Sequence, residues 1–119
     1  MPQYLVSTYF SDNFDPSTID EATVEGIHAL NREMDAAGVT KFACGLGKAH
    51  TLRAQPNGEL LLTEGPYLEA KEHVGGLSIL ECAHLDEVLA WARKSAKVCA
   101  VPMPVEVREI FFTPAPERD

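Results

Sequence analysis

Apolar positions recur along the chain with two periods, and the switches between them mark out six strands and two helices. Residues 4–10 (YLVSTYF) form a β-branched and aromatic run closed by Ser11, Asp12 and Asn13, which predicts a first strand and a turn. Pro16, Ser17 and Thr18 follow. Either hydroxyl is placed to cap a helix whose first turn holds Asp20 and Glu21, where the helix dipole favours negative charge. Thr23, Ile27, Leu30 and Met34 recur at helical spacing as its buried face, and Gly38 stops it. Gly26 stands mid-helix at a cost of up to about 1 kcal/mol relative to alanine. Short apolar runs at 39–46, 51–54 and 60–62 predict three more strands. The last two flank Pro56-Asn57-Gly58, a hairpin signal in which Asn57 and Gly58 both suit positive φ. A polar connection over 64–75 leads to an apolar strand at 76–81. Leu85, Val88, Leu89 and Ala92 share one face of a second helix over 84–97, whose last turns carry Arg93, Lys94 and Lys97. Pro102 and Pro104 break any helix before a final strand at 105–112, and 113–119 reads as a frayed tail.

This order is the split β-α-β arrangement of a ferredoxin-like α+β domain with a hairpin inserted. Two helices cover one face of such a sheet. The other face would leave residues such as Leu5, Leu61, Leu77 and Ile110 in water, so a homodimer pressing two sheets together is expected.

The length of 119 residues fits one domain spanning residues 1–119, and 45% apolar composition supplies a single core. A net charge of -8 argues against direct nucleic-acid binding, which needs a basic surface to displace counterions. The charge is concentrated: residues 1–37 hold seven acids against the single base Arg32, so the first helix presents an acidic face suited either to water or to a basic partner. Cys44, Cys82 and Cys99 are odd in number and show no C-x-x-C pairing, which fits a reducing compartment. The start MPQYLVSTYFSDNF has no basic leader and no apolar run approaches 18 residues, so a cytoplasmic protein without membrane contact is expected.

The segment TEGPYLEAKEHVGG, residues 63–76, carries an acid-glycine-proline-aromatic turn, a glutamate, a Lys-Glu pair and a glycine pair: Glu64, Gly65, Pro66, Tyr67, Glu69, Lys71, Glu72, Gly75 and Gly76. It resembles the signature of the YCII-related family, in the branch named for a D-G-P-F motif, with Glu64 and Tyr67 standing where that branch has Asp and Phe. The first strand MPQYLVSTYF and a helix carrying His28 before MDAAGV agree with the resemblance. It implies a ferredoxin-like subunit of a bacterial protein, paired into a dimeric α/β barrel. It also implies either an enzyme built around a histidine and a carboxylate or a protein associated with sigma factors.

By the 3.6-residue period His28 lies about 100° from the middle of the apolar face, at the boundary of core and solvent. A histidine there exchanges protons near neutral pH, and a carboxylate within reach would fix its tautomer. Asp35 is about two turns away on the same side; Glu64 and Glu69 of the signature loop are the other candidate acids. In a pocket between helix and sheet, Lys71 would anchor an anion, with Arg53 and Tyr67 completing the contacts to a small polar or anionic metabolite. The alternative role for this loop is structural: Gly65-Pro66 builds a turn, Gly75-Gly76 permits close backbone approach, and the charges bridge locally. His50, His73 and His84 reach no metal spacing, the stretch GLGKAH at 45–50 lacks a full phosphate loop, and Trp91 reads as packing, so no metal or cofactor is expected.

Overall fold

Tyr4 and Val6 are buried and Leu5 between them is half-buried along β1 (Gln3–Ser11) of the computed structural model, and this alternation decides which side of the sheet faces the helices. The structure describes residues 1–11, 15, 17, 19–65, 72–98 and 103–111. The other elements are α1 (Glu21–Ala36), β2 (Thr40–Gly45), β3 (His50–Ala54), β4 (Leu60–Glu64), β5 (Glu72–Glu81), α2 (Leu85–Val98) and β6 (Val105–Ile110). Four strands form one sheet in the order β2-β5-β1-β6, each neighbouring pair antiparallel. Both helix-linked strand pairs, β1 with β2 and β5 with β6, are thus split by one strand between them, which is the expected ferredoxin-like α+β topology. The inserted hairpin, β3 with β4, forms a two-stranded sheet of its own.

The core lies between this sheet and the two helices, and joins Tyr4, Val6, Leu80 and Cys82 to Leu30 and Met34 of α1, to Val39 just before β2 and to Val88 of α2. Leu80 and Val88 are essentially sealed from water, each contributing about 1.5–3 kcal/mol by burial. α1 buries Thr23, Leu30 and Met34, as its spacing predicts, but its N-cap is Asp20 rather than Ser17 or Thr18. The Asp20 carboxylate accepts the Thr23 backbone N–H at 2.7 Å, whereas Ser17 turns back to Asp15, and Thr18 lies outside the described residues. At the other end Gly38 at φ 74° lets the Val39 N–H reach the Met34 carbonyl (3.2 Å) and its own N–H reach that of Asp35 (3.0 Å). Gly26 has a packing reason: a Cβ there would stand 2.8 Å from a Val98 methyl, so the glycine lets α1 close against the end of α2. Lys94 of α2 then pairs with Glu33 of α1 and lies 4.8 Å from the centre of the Trp91 ring.

Two strand readings change. β5 starts at Glu72, within the stretch expected to be a connection, and the hairpin turn uses positive φ at Gly58 but not at Asn57. Pro56 and Asn57 occupy the middle of a turn closed by the Gly58 N–H on the Gln55 carbonyl (2.9 Å), and Gly58 supplies the bulge. The predicted tail at 113–119 lies outside the described residues. The face away from the helices carries Phe42, Ile79 and Leu5 in one cross-strand row, continued by Arg108, with Cys44, Leu77, Ser7 and Glu106 in the next. Leu5, Leu77 and Ile110 lie on this face, as expected, whereas Leu61 belongs to the separate hairpin.

Between Thr8 and Tyr9 the register with β5 shifts: Thr8 faces Gly76 and Tyr9 faces Val74, which leaves Gly75 as the extra residue of a bulge. The Phe10 ring occupies the space a Gly75 side chain would need. Gly75→Ala is therefore expected to destabilise the fold by about 1–3 kcal/mol through overpacking, whereas Gly47→Ala, with open space at that position, leaves the urea midpoint unchanged. A second expectation concerns acid. Hydrogen bonds from Thr23 hold the Asp20 carboxyl below its usual pKa, so its stabilising effect is present above the unfolded-state value near 4 and is lost as pH falls through the lowered folded-state value. Asp20→Asn keeps a capping oxygen without the charge, and urea titrations from pH 6 to pH 3 should show a smaller loss of stability for the variant than for the natural chain.

Candidate functional site

The bulge shapes a cleft. Because Gly75 and Gly76 carry no side chains, the sheet is thin where β1, β2 and β5 pass under α1, and a space of about 390 Å³ opens there. Phe10 and Thr8 of β1, Ser78 and the two glycines of β5, Ala43 of β2, Ile27, Leu30, Asn31 and Met34 of α1, and Ser95 and Val98 of α2 contribute to its walls. The lining is mostly apolar, and its side-chain hydrogen-bonding groups are neutral: hydroxyls of Thr8, Ser78 and Ser95, and the amide of Asn31. No charged side chain lines it among the described residues. Size and character match an ordinary small-molecule pocket, apolar walls with a few polar groups to fix orientation.

Local structure explains why the cleft persists. A Cβ at Gly76 would stand 3.2 Å from the Cys44 carbonyl oxygen, a close backbone approach of the kind the glycine pair suggested. The Leu46 N–H donates to the Gly75 carbonyl at 2.9 Å, which carries the β2–β5 ladder past the bulge. Filling the space would need a larger residue at Ala43 or Ser78 of the sheet or at Ser95 of α2, and the chain has small ones at all three.

The residues singled out from the sequence do not converge in this cleft. His28 is exposed on α1, one turn from Asn31, and is further from the core than its helical angle suggested. Asp35 is also exposed. Glu64 ends β4 directly opposite His50, and Arg53 sits on β3 opposite Leu61, both exposed on the hairpin. Tyr67, Glu69 and Lys71 lie outside the described residues, as does Cys99. No group of three or more His, Cys, Asp or Glu among the described residues is arranged to hold a metal ion. Sequence reasoning passed over Thr8, Phe10, Asn31 and Ser78, which lie on three different elements, β1, α1 and β5; only Gly75-Gly76 signalled the place.

Titration behaviour separates structural groups from accessible ones. Burial pushes the Cys82 thiol up, with Glu87 adding to the shift, so that sulfur is a core atom rather than a nucleophile. Glu81 is held below the usual carboxylate range, chiefly by the hydrogen bond from the Gln3 side chain (3.0 Å) and in part by Lys41 at 3.8 Å. This cluster ties β1, β2 and β5 together at the end of the sheet away from the cleft.

No described helix is long and apolar enough to cross a membrane. Residues 3–111 match the YCII-related domain, which covers nearly the whole chain and every described strand and helix. The chain is also similar to the uncharacterized protein R00369 of Rhizobium meliloti (strain 1021), 35% identical over 77 residues, a stretch that makes up 62% of this chain and 61% of that protein. The match thus spans about three-fifths of the relative's length. With the family match running from the first strand through the last, on a fold of the expected topology, the chain belongs to the YCII-related family.

Proposed function

We propose that this protein binds a small molecule in the cleft between α1 and the sheet, and that His28 at the neighbouring helix surface serves as its acid-base group. The observation that carries this reading is the cleft itself: about 390 Å³ held open by Gly75 and Gly76, with apolar walls and four neutral polar side chains. A ligand that fits these walls has an apolar body with hydroxyl, carbonyl or amide groups for Thr8, Asn31, Ser78 and Ser95. A charged end would be left at the mouth of the cleft; Lys71, Glu69 and Tyr67 of the D-G-P-F-like loop are the sequence's candidates for contact with the ligand. The chain acts as a homodimer in this reading, its apolar sheet face covered by a second copy.

A second reading rests on the exposed acids of α1. Glu21, Glu25 and Asp35 are exposed with Arg32 as the one base of the helix, while Glu33 is engaged by Lys94. A basic partner surface, such as one on a sigma factor, would bind this side of α1, and its complex would weaken steeply with added salt.

A thermal-shift screen of neutral and singly charged metabolites tests the first reading. A ligand at about 100 times its dissociation constant adds roughly 2.7 kcal/mol, several degrees in a domain of this size. The shift is expected to shrink sharply in Asn31→Ala and to persist in His28→Ala, with turnover lost in the latter. Hits that ignore both Asn31→Ala and Ser78→Leu would remove the cleft from the account, and unchanged turnover in His28→Ala would remove the histidine.

A further inference from the structure

Among the described residues the β3–β4 hairpin is bonded in a ladder only to itself, although an isolated two-stranded hairpin is marginal in water. Its cross-strand pairs give it two different faces. His50 with Glu64, Leu52 with Leu62, and Ala54 with Leu60 share one face; Thr51 with Thr63 and Arg53 with Leu61 share the other. The first face is therefore apolar along its outer two-thirds, yet Leu52, Leu60 and Leu62 are 65%, 67% and 61% exposed. The hairpin leaves the sheet at the β2–β5 end, where the Gly65 N–H on the Ala49 carbonyl (2.8 Å) closes its base. The chain is correspondingly spread out, with a radius of gyration of 17.2 Å against roughly 13.5 Å for a compact domain of this length.

We infer that the hairpin is an arm that clasps a second copy of this chain, laying its Leu52, Leu60 and Leu62 face on the partner's open sheet face around Phe42. The inference rests on the homodimer reading above and adds the element that makes the contact large enough. Phe42 is 53% exposed and heads the row Phe42, Ile79, Leu5 on the face that neither α1 nor α2 covers. One chain thus carries two unmatched apolar surfaces, which is what a two-fold contact requires of each copy. A leucine at such exposure shows on the order of 100 Å² of apolar surface. Three per arm, with a comparable area on the sheet face, counted on both copies, come to on the order of 1,200 Å², the lower bound of a stable specific interface. Either surface alone falls short of it. Charge does not oppose the contact: the sheet face is rimmed by internally matched pairs, Glu81 with Lys41 and Glu106 with Arg108, and no ionic side chain stands among Leu52, Ala54, Leu60 and Leu62.

Leu61 and Leu62 are adjacent and point to opposite faces of the arm, which makes a paired test possible. Sedimentation equilibrium on the full chain is expected to give a dimer whose dissociation constant rises at least tenfold in Leu62→Lys and stays within threefold in Leu61→Lys, with far-UV circular dichroism unchanged. Leu52→Ser serves in place of Leu62→Lys if that variant does not fold. Oxidation of a mixture of two differently tagged chains, one Leu62→Cys and one Phe42→Cys, should give a disulfide between tags. A monomeric natural chain overturns the dimer reading and the arm together. A dimer that ignores Leu62→Lys overturns the arm and leaves the sheet-face dimer standing. Equal weakening by both substitutions, or a cross-link formed only within a chain carrying both cysteines, also overturns it, the latter by showing the arm folded back on its own sheet.

Discussion

A missing side chain at Gly75 sets the geometry on which the rest depends. The Phe10 ring fills the volume a Cβ would take, so β1 and β5 come together with one extra residue in β5 and a bend in the sheet. That bend has three consequences in one place. It thins the floor of the cleft, it turns the Phe10 ring into a cleft wall, and it puts the Gly75 carbonyl where the Leu46 N–H holds the last rung before the arm begins. Interiors are packed closely enough that such a site does not deform gradually. A side chain at this position must expel the ring or open the ladder.

Much of the fold was legible because it is written in local periods. The helical spacing of Thr23, Leu30 and Met34 and the alternation of Tyr4 and Val6 pick out the faces that meet in the core, and side-chain period alone is enough for that. The errors fall where a choice depends on neighbours distant in sequence. Ser17, Thr18 and Asp20 are all competent caps, and only the path of the chain into α1 selects Asp20. Gly26 looks like a weak point in a lone helix, and its reason appears only when Val98 arrives 72 residues later. Leu60, Leu61 and Leu62 run consecutively, so they place apolar groups on both sides of a strand, and no pattern tells whether that strand joins the main sheet.

The candidate site was less legible for the same reason. Helical angle fixes the direction of His28 but not how far its neighbours rise around it, and the structure leaves it in solvent. The cleft is assembled from β1, α1, β2, β5 and α2, each contributing small or neutral residues that carry no recognisable chemistry in isolation. Loops with charged residues attract attention in a sequence; spaces left by glycine, alanine and serine do not.

The two faces of α1 also make the two functional readings compatible rather than rival. Ile27, Leu30, Asn31 and Met34 look into the cleft, while Glu21, Glu25 and Asp35 lie on its exposed surface, so a ligand and a basic partner would touch the same helix without competing for the same side chains. The helix is held to α2 by the close approach at Gly26 and by the Lys94 pair with Glu33. A ligand that pushed α1 outward would therefore strain the α1–α2 contact, and one that moved Phe10 would strain the Leu46–Gly75 hydrogen bond at the root of the arm. Coupling of this kind needs a difference in affinity between two arrangements of the packed elements, and among the described residues the end of the sheet at Gly75 is where the cleft and the arm share their supports.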